Sequence, residues 1–476
     1  MSNSSKARQR IFSLLDENSF VEIGAHVMAR ATTFNMKQSE TPGDGVVTGY
    51  GVIDGHLVYV YSQDVSVMNG SVGEMHAKKI INLYNLALKT GAPIIGFIDS
   101  AGIRLQEATD ALNAFGEIYL KQTLASGVIP QITAIFGSCG GGLAMMSALT
   151  DFTFMEEKNA KLFVNTPNSL SGNSIDKCNN TTAKFQSSET GMVSGVGSEA
   201  EIVEKIRTLV SFLPENNEDD MSYEECLDDL NRLVPEIAGL KEDTLLALEA
   251  LADENFFLEI KGNYAKEMVT GFMKLNGITI GCIANRSMVH DADGRIVQKF
   301  DSVLTTAGCQ KASDFITFCD AYNVPLLSLT NVTGYEANIE SEKTIAKAVA
   351  KLTYSFANAT TPKVNVVIGK AFGNAYISMN SKAIGADVTI AWDSAQIGMM
   401  DAALAAKIMY EGESAEVIKD KTEEYDKLQN NIFSAAGRGY VDEIIEADQT
   451  RKYIIGAFEM LFTKREDRPT KKHGTV

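Results

Sequence analysis

The chain repeats itself, and the repeat limits what it can fold into. Pro130-Gln131-Ile132-Thr133-Ala134-Ile135-Phe136 runs into Gly137-Ser138-Cys139-Gly140-Gly141-Gly142. Pro362-Lys363-Val364-Asn365-Val366-Val367-Ile368 runs into Gly369-Lys370-Ala371-Phe372-Gly373-Asn374 in the same way, so that Gly137 meets Gly369 and Gly141 meets Gly373. Further pairs keep the same order. Val47-Thr48-Gly49-Tyr50 answers Val269-Thr270-Gly271-Phe272, and Pro93–Asp99 answers Pro325–Asn331. Ser19–Ile23 answers Phe256–Ile260. Such a chain is two copies of one α/β domain. In each copy an apolar strand gives way to glycines and then to a helix start. First-turn N–H groups lack intrahelical partners and the helix dipole favours negative charge, so each turn is a candidate oxyanion site. The plainer alternative is a duplicated scaffold with tight structural turns.

At 476 residues the chain exceeds one core, in keeping with two domains. A net charge of −18 argues against nucleic acid or an anionic membrane as the main partner. No run of 18 apolar residues predicts a membrane helix. The start, Met1-Ser2-Asn3-Ser4-Ser5-Lys6, has no apolar signal core, and a cytoplasmic protein is expected. The six cysteines show no metal-ligand spacing and are expected as thiols.

The acidic stretch 214–222 reads as a solvated linker, which places the domains at 1–222 and 223–476. Helical spacing predicts helices over 6–16, 73–90, 105–126 and 198–213, two short ones at 223–233 and 242–253, and a long run over 402–430. Residues 165–190 read as a polar loop or lid. The loop Asp99-Ser100-Ala101-Gly102 follows the apolar strand 94–98, and ligands gather at strand carboxyl ends in α/β sheets. No dinucleotide fingerprint, P-loop or serine elbow is present. The five histidines are scattered and read as ordinary core or surface residues. His290-Asp291-Ala292-Asp293-Gly294 lacks the closing Glu of a calcium loop and reads as a turn. Glu107 and Glu117 are acid/base candidates, with a solvated helix face preferred. Two backbone N–H sites and no side-chain catalyst fit thioester enolate chemistry, in which the substrate or cofactor supplies the base.

Long ordered segments carry a resemblance that spans nearly the whole chain. They include Gly43-Asp44-Gly45-Val46-Val47-Thr48-Gly49-Tyr50-Gly51, Gly73-Glu74-Met75-His76-Ala77 and Ala125-Ser126-Gly127-Val128-Ile129-Pro130. Phe318-Cys319-Asp320-Ala321-Tyr322, Gly437-Arg438-Gly439-Tyr440 and Pro469-Thr470-Lys471-Lys472-His473-Gly474 follow. The chain resembles the carboxyltransferase subunit of biotin-dependent acyl-CoA carboxylases, of the propionyl-CoA carboxylase β type. It is similarly close to the carboxyltransferase subunit of sodium-pumping methylmalonyl-CoA decarboxylases.

The resemblance implies an α/β chain of two tandem crotonase-like (ClpP/crotonase) β-β-α superhelix domains in a homohexamer, a trimer of dimers. It implies transfer of carboxylate from carboxybiotin to the α-carbon of a short-chain acyl-CoA such as acetyl- or propionyl-CoA. The biotin sits on a separate biotin carboxyl carrier protein charged by a biotin carboxylase subunit. No metal is implied in this chain. Gly141 and Gly142 would supply one oxyanion hole, Asn374 and Ala375 the other. Ala101, Gly102, Gly373, Tyr376 and Ile377 would contact substrate, with Ile377 at the position associated with acyl length. Asn374 stands where the family usually has Gly, and Ala101 where its loop has Gly. The decarboxylase alternative adds a membrane subunit. An alternative of another class is a diverged, non-catalytic scaffold subunit.

Overall fold

The structure, a computed structural model, describes residues 5–30, 41–219 and 225–471. The chain divides into two compact units, Met1–Asp220 and Met221–Val476.

The first unit is built on a seven-stranded sheet. Its spatial order is Val21–Ile23, Val46–Ile53, His56–Gln63, Ile94–Ile98, Gln131–Ile135, Phe152–Glu156 and Gly195–Gly197. The first three strands pair antiparallel and the remainder run parallel. Asp54-Gly55 turns the hairpin between Ile53 and His56, as a two-residue turn of that composition predicts. The strands after the hairpin are buried along their length and read as continuous apolar runs, the pattern of a parallel sheet covered on its faces. Helix Glu74–Thr90 buries His76, Ala77, Ile80, Leu83, Tyr84 and Ala87 at helical spacing, and Gly91 ends it in the left-handed conformation. Helix Ala108–Ala125 packs against it and leads to the glycine strand.

The second unit repeats this order. Phe257–Glu259, Met268–Leu275, Ile278–Asn285, Leu326–Val332, Lys363–Phe372, Val388–Trp392 and Glu443–Ile445 form the matching path, antiparallel for the first three and parallel beyond. The repeated Val-Thr-Gly has one physical cause in both units. A Cβ on Gly49 would lie 2.3 Å from Val21 O, and one on Gly271 2.3 Å from Leu258 O. Only glycine admits the edge strand so close. The preceding threonine ties the same edge down: Thr48 Oγ1 donates to Ile23 O at 2.7 Å and Thr270 Oγ1 to Ile260 O at 2.9 Å.

Three expectations need correction. Residues 225–233 hold no helix; the described segment is held instead by Arg232, whose guanidinium pairs with Asp228 and donates to Ala250 O and Ala252 O. The 402–430 run is broken into Ala402–Met409, Ala415–Tyr425 and a π turn at Asp426–Asn430, because Gly412 takes φ +94° between the first two. The polar loop 165–190 contains a short helix, Ala183–Ser188, capped by Thr182 Oγ1 on Phe185 N. The expected linker runs partly outside the described residues, at 220–222, as does the tail beyond 471. Among the described residues no helix is long and apolar enough to cross a membrane.

Candidate active site

In the first unit strand Gln131–Ile135 passes through Gly137 into a short strand, Ser138–Gly140, and then into helix Gly142–Ala148. The turn between them is Gly141, at φ 59° and ψ −120°. That is the conformation of the first central residue of a type II′ turn, which glycine dominates. Ser138–Gly140 pairs in parallel with Lys161–Phe163, and Gly141 N closes this ladder on Phe163 O at 2.9 Å. The expectation that Gly141 and Gly142 would both donate to a ligand is corrected here: the Gly141 N–H is spent on the strand. Among the described residues the N–H groups of Gly142 and Leu143 have no acceptor. Gly142 is packed tightly: a Cβ there would lie 2.8 Å from Tyr119 Oη. Tyr119 reaches over from helix Ala108–Ala125 and donates to Gly142 O at 2.8 Å.

The second unit repeats the arrangement. Lys363–Phe372 ends at Gly373, φ 62°, which opens helix Gly373–Ser378. Asn374 and Ala375 match Gly142 and Leu143, and among the described residues their N–H groups likewise have no acceptor. Asn374 lies inside the helix without positive φ, so a side chain is accommodated there with no backbone strain. The Asn374 side chain is exposed; Ala375 and Tyr376 are buried. Burial pushes the Tyr376 phenol up to about 12, so it stays protonated. Ser378 Oγ donates to Asn374 O at 3.0 Å and lies 2.9 Å from Thr353 Oγ1.

The loops after the preceding strands lie against these turns. Ser100 N donates to Ser138 O at 3.1 Å, and the carboxylate of Asp99 occupies the space a Gly137 side chain would need. In the second unit the Asn331 amide fills the same place beside Gly369 and accepts from Lys370 N at 3.1 Å. Ala101 and Gly102 follow Ser100 in this loop, and their N–H groups are spent within the fold: Ala101 N on Asn69 O and Gly102 N on Ser100 Oγ, both at 3.0 Å. Ile377 lines a cavity of about 770 Å³ with Asn374, Ser378, Tyr335, Val349 and Thr353.

Glu107 is a second correction. It is buried rather than solvated, paired with Arg104 Nη1 at 2.8 Å, while Arg104 also holds Asp44 at 2.8 Å. Burial raises Asp44 to about 6 despite the guanidinium, and burial lowers His76 to about 3, so the imidazole is neutral. Glu117 is exposed. Among the described residues no group of His, Cys, Asp and Glu is placed to hold a metal ion. Sequence reasoning missed Leu143, Tyr119, Thr353 and Ser378. The shared offset between the halves pointed to Leu143, since it aligns with Ala375.

Comparisons with known proteins agree with this architecture. Residues 2–476 match the family described as carboxyl transferase domain. The chain is 38% identical to the methylmalonyl-CoA decarboxylase subunit alpha of Propionigenium modestum, over 99% of this chain and 92% of that protein. It is also 38% identical to the propionyl-CoA carboxylase beta chain of Roseobacter denitrificans, over 99% and 93%. A solved structure of transcarboxylase 12S, described as a hexamer and a multienzyme core with methylmalonyl-coenzyme A and methylmalonic acid bound, superposes with TM-score 0.92. That likeness covers 98% of this chain and 92% of the solved one, at 36% identity. The fold is therefore that of the crotonase-type carboxyltransferases.

Proposed function

Given that the chain belongs to the carboxyl transferase family, we propose that it is the carboxyltransferase component of a biotin-dependent acyl-CoA carboxylase acting on a short-chain acyl-CoA. The observation that carries this reading is the two pairs of unengaged N–H groups at matching positions, Gly142 with Leu143 and Asn374 with Ala375. Carboxyl transfer involves two carbonyl oxygens that gain charge, the thioester oxygen and the ureido oxygen of biotin. Preorganised backbone donors stabilise such charge without reorganising. The donor set fits a ureido group, which asks only for N–H donors at its oxygen. Biotin, when present on its carrier, supplies the carboxylate and a nitrogen base.

The chain's own residues do the rest. The Gly142 and Leu143 N–H groups hold the thioester oxygen as the α-carbon loses its proton. The Asn374 and Ala375 N–H groups hold the second oxyanion. Gly141 acts by turning the chain, not by donating. The apolar Ile377 in the cavity wall supports an acetyl or propionyl group. A homohexamer is expected, as in the transcarboxylase 12S structure, with a carrier protein and a biotin carboxylase as partners.

The similarity to a methylmalonyl-CoA decarboxylase subunit favours a second reading, in which the same site runs towards decarboxylation beside a membrane subunit. Both readings are tested by one substrate panel. The purified chain with biotinylated carrier is offered malonyl-, methylmalonyl- and long-chain carboxylated acyl-CoAs, and carboxyl transfer to biotin is followed. Turnover confined to the short substrates is expected. A preference for long chains contradicts the reading of Ile377, and no biotin-dependent turnover contradicts the reaction.

A further inference from the structure

Both units grip the same carbonyl. A peptide unit is planar and trans, so its C=O and N–H point in opposite directions, and a bond to the oxygen fixes the direction of the N–H. Gly142 O belongs to the peptide that carries the Leu143 N–H, and Asn374 O to the peptide that carries the Ala375 N–H. In the first unit the hydroxyl on that carbonyl is Tyr119 Oη, 2.8 Å away. In the second it is Ser378 Oγ, 3.0 Å away, and Thr353 Oγ1 lies 2.9 Å behind it. A serine bonded back to the carbonyl four residues earlier is an ordinary feature of helices. The outer contacts are not of that kind. Tyr119 sits on Ala108–Ala125 and Thr353 on Ile345–Asn358, the helices that precede the glycine strand in the first and second unit respectively. The single Ser378 proton goes to Asn374 O, so Ser378 is the acceptor toward Thr353, whose one proton is shared between Ser378 Oγ and Val349 O, each 2.9 Å away. Two different side-chain solutions reach one target from one place in the fold.

We infer that Tyr119, and Thr353 through Ser378, are positioning residues that hold the Leu143 and Ala375 N–H groups in the direction needed for oxyanion binding. The inference rests on the reading of these N–H groups as oxyanion donors. Tyr119 is half-buried, 6.0 Å from the Phe115 ring, so removing its hydroxyl leaves the ring packing in place. Ser378 and Thr353 line the 770 Å³ cavity together with Asn374, which puts the second brace beside the atoms it serves.

The test is steady-state kinetics of methylmalonyl-CoA decarboxylation with free biotin as acceptor, using the full chain and its Tyr119→Phe, Ser378→Ala, Thr353→Val and Thr353→Ser variants. Complete loss of an oxyanion donor costs about 10²–10³ in kcat. A misdirected donor is expected to cost about tenfold in kcat for Tyr119→Phe and Ser378→Ala, with KM within about twofold. Thr353→Val lowers kcat in the same way, and Thr353→Ser, which keeps the hydroxyl, restores it. Thermal unfolding of Tyr119→Phe and Thr353→Ser, both near wild type, confirms the folded state. Unchanged kcat in Tyr119→Phe overturns the inference for the first unit. A Thr353→Ser variant as slow as Thr353→Val overturns it for the second. A wild-type chain without biotin-dependent turnover overturns the functional reading on which the inference stands, whereas active wild type with unaltered variants overturns the inference alone.

Discussion

Replacing Gly141 by Ala isolates the conformational demand of the first turn. At φ 59° and ψ −120° an alanine Cβ meets its own backbone, yet no other heavy atom lies within 4 Å of the place it would take. The effect is therefore backbone strain rather than collision, about 1–3 kcal/mol. Rotation out of this conformation would relieve the strain, but it breaks the bond from Gly141 N to Phe163 O and disturbs the one from Ala144 N to Gly141 O, at 2.9 and 3.1 Å. Each such bond is worth about 0.5–1.5 kcal/mol, so neither escape is free. Either response moves the next peptide, whose N–H is the Gly142 donor. Urea unfolding of the variant should lose about 1–3 kcal/mol, and its kcat for biotin-dependent decarboxylation of methylmalonyl-CoA should fall at least about tenfold. Gly116→Ala is the control. Gly116 sits inside helix Ala108–Ala125 with open space at its Cβ and no positive φ, so alanine there should stabilise by up to about 1 kcal/mol. A Gly141→Ala variant that behaves like Gly116→Ala in both assays refutes the reasoning.

Gly49→Ala and Gly271→Ala should each destabilise by at least about 1–3 kcal/mol in urea melts, because the new Cβ meets the edge-strand carbonyl at 2.3 Å in both units; a neutral result at either would break the equivalence of the two. Arg104→Met strands the buried Asp44 and Glu107 carboxylates and should cost about 3–5 kcal/mol, read by thermal or urea unfolding. Lys311, buried, donates to Tyr264 O at 2.8 Å, and burial lowers its ammonium from 10.5 to about 8. Between those values the unfolded chain holds a proton that the folded chain has lost, so stability rises with pH by up to about 1.4 kcal/mol per unit. The wild type should gain on Lys311→Met as pH rises from 8 to 10, and a flat difference across that window would count against a buried ammonium.

The parts of the fold that the sequence made legible are those carried by local pattern and by the repeat. The apolar strands, the Asp54-Gly55 hairpin and the glycine turns follow from spacing and residue type, and the repeat doubles every such signal. What was not legible depends on partners far along the chain. Nothing near Gly141 announces that its N–H is taken, because the acceptor, Phe163, comes from a strand formed after the helix. Glu107 sits in a helical pattern that reads as solvated; Arg104 lies only three residues before it, but only the folded chain brings in Asp44 and buries all three. Tyr119 and Thr353 are ordinary residues on helix surfaces until the glycine strands fold beneath them. The helix expected over 223–233 came from spacing alone; its described part, 225–233, is anchored instead by the guanidinium of Arg232.

The central claim is that backbone N–H groups, not side chains, carry the transfer, and Asn374 offers the cleanest place to test it. Its side chain is exposed and its helix is two residues old at that point, so proline removes the N–H at a position where no intrahelical bond is lost. Biotin-dependent decarboxylation of methylmalonyl-CoA should survive Asn374→Ala within about threefold and fall about 10²–10³ in Asn374→Pro. Equal activity in the two variants, or loss in Asn374→Ala alone, would contradict the account.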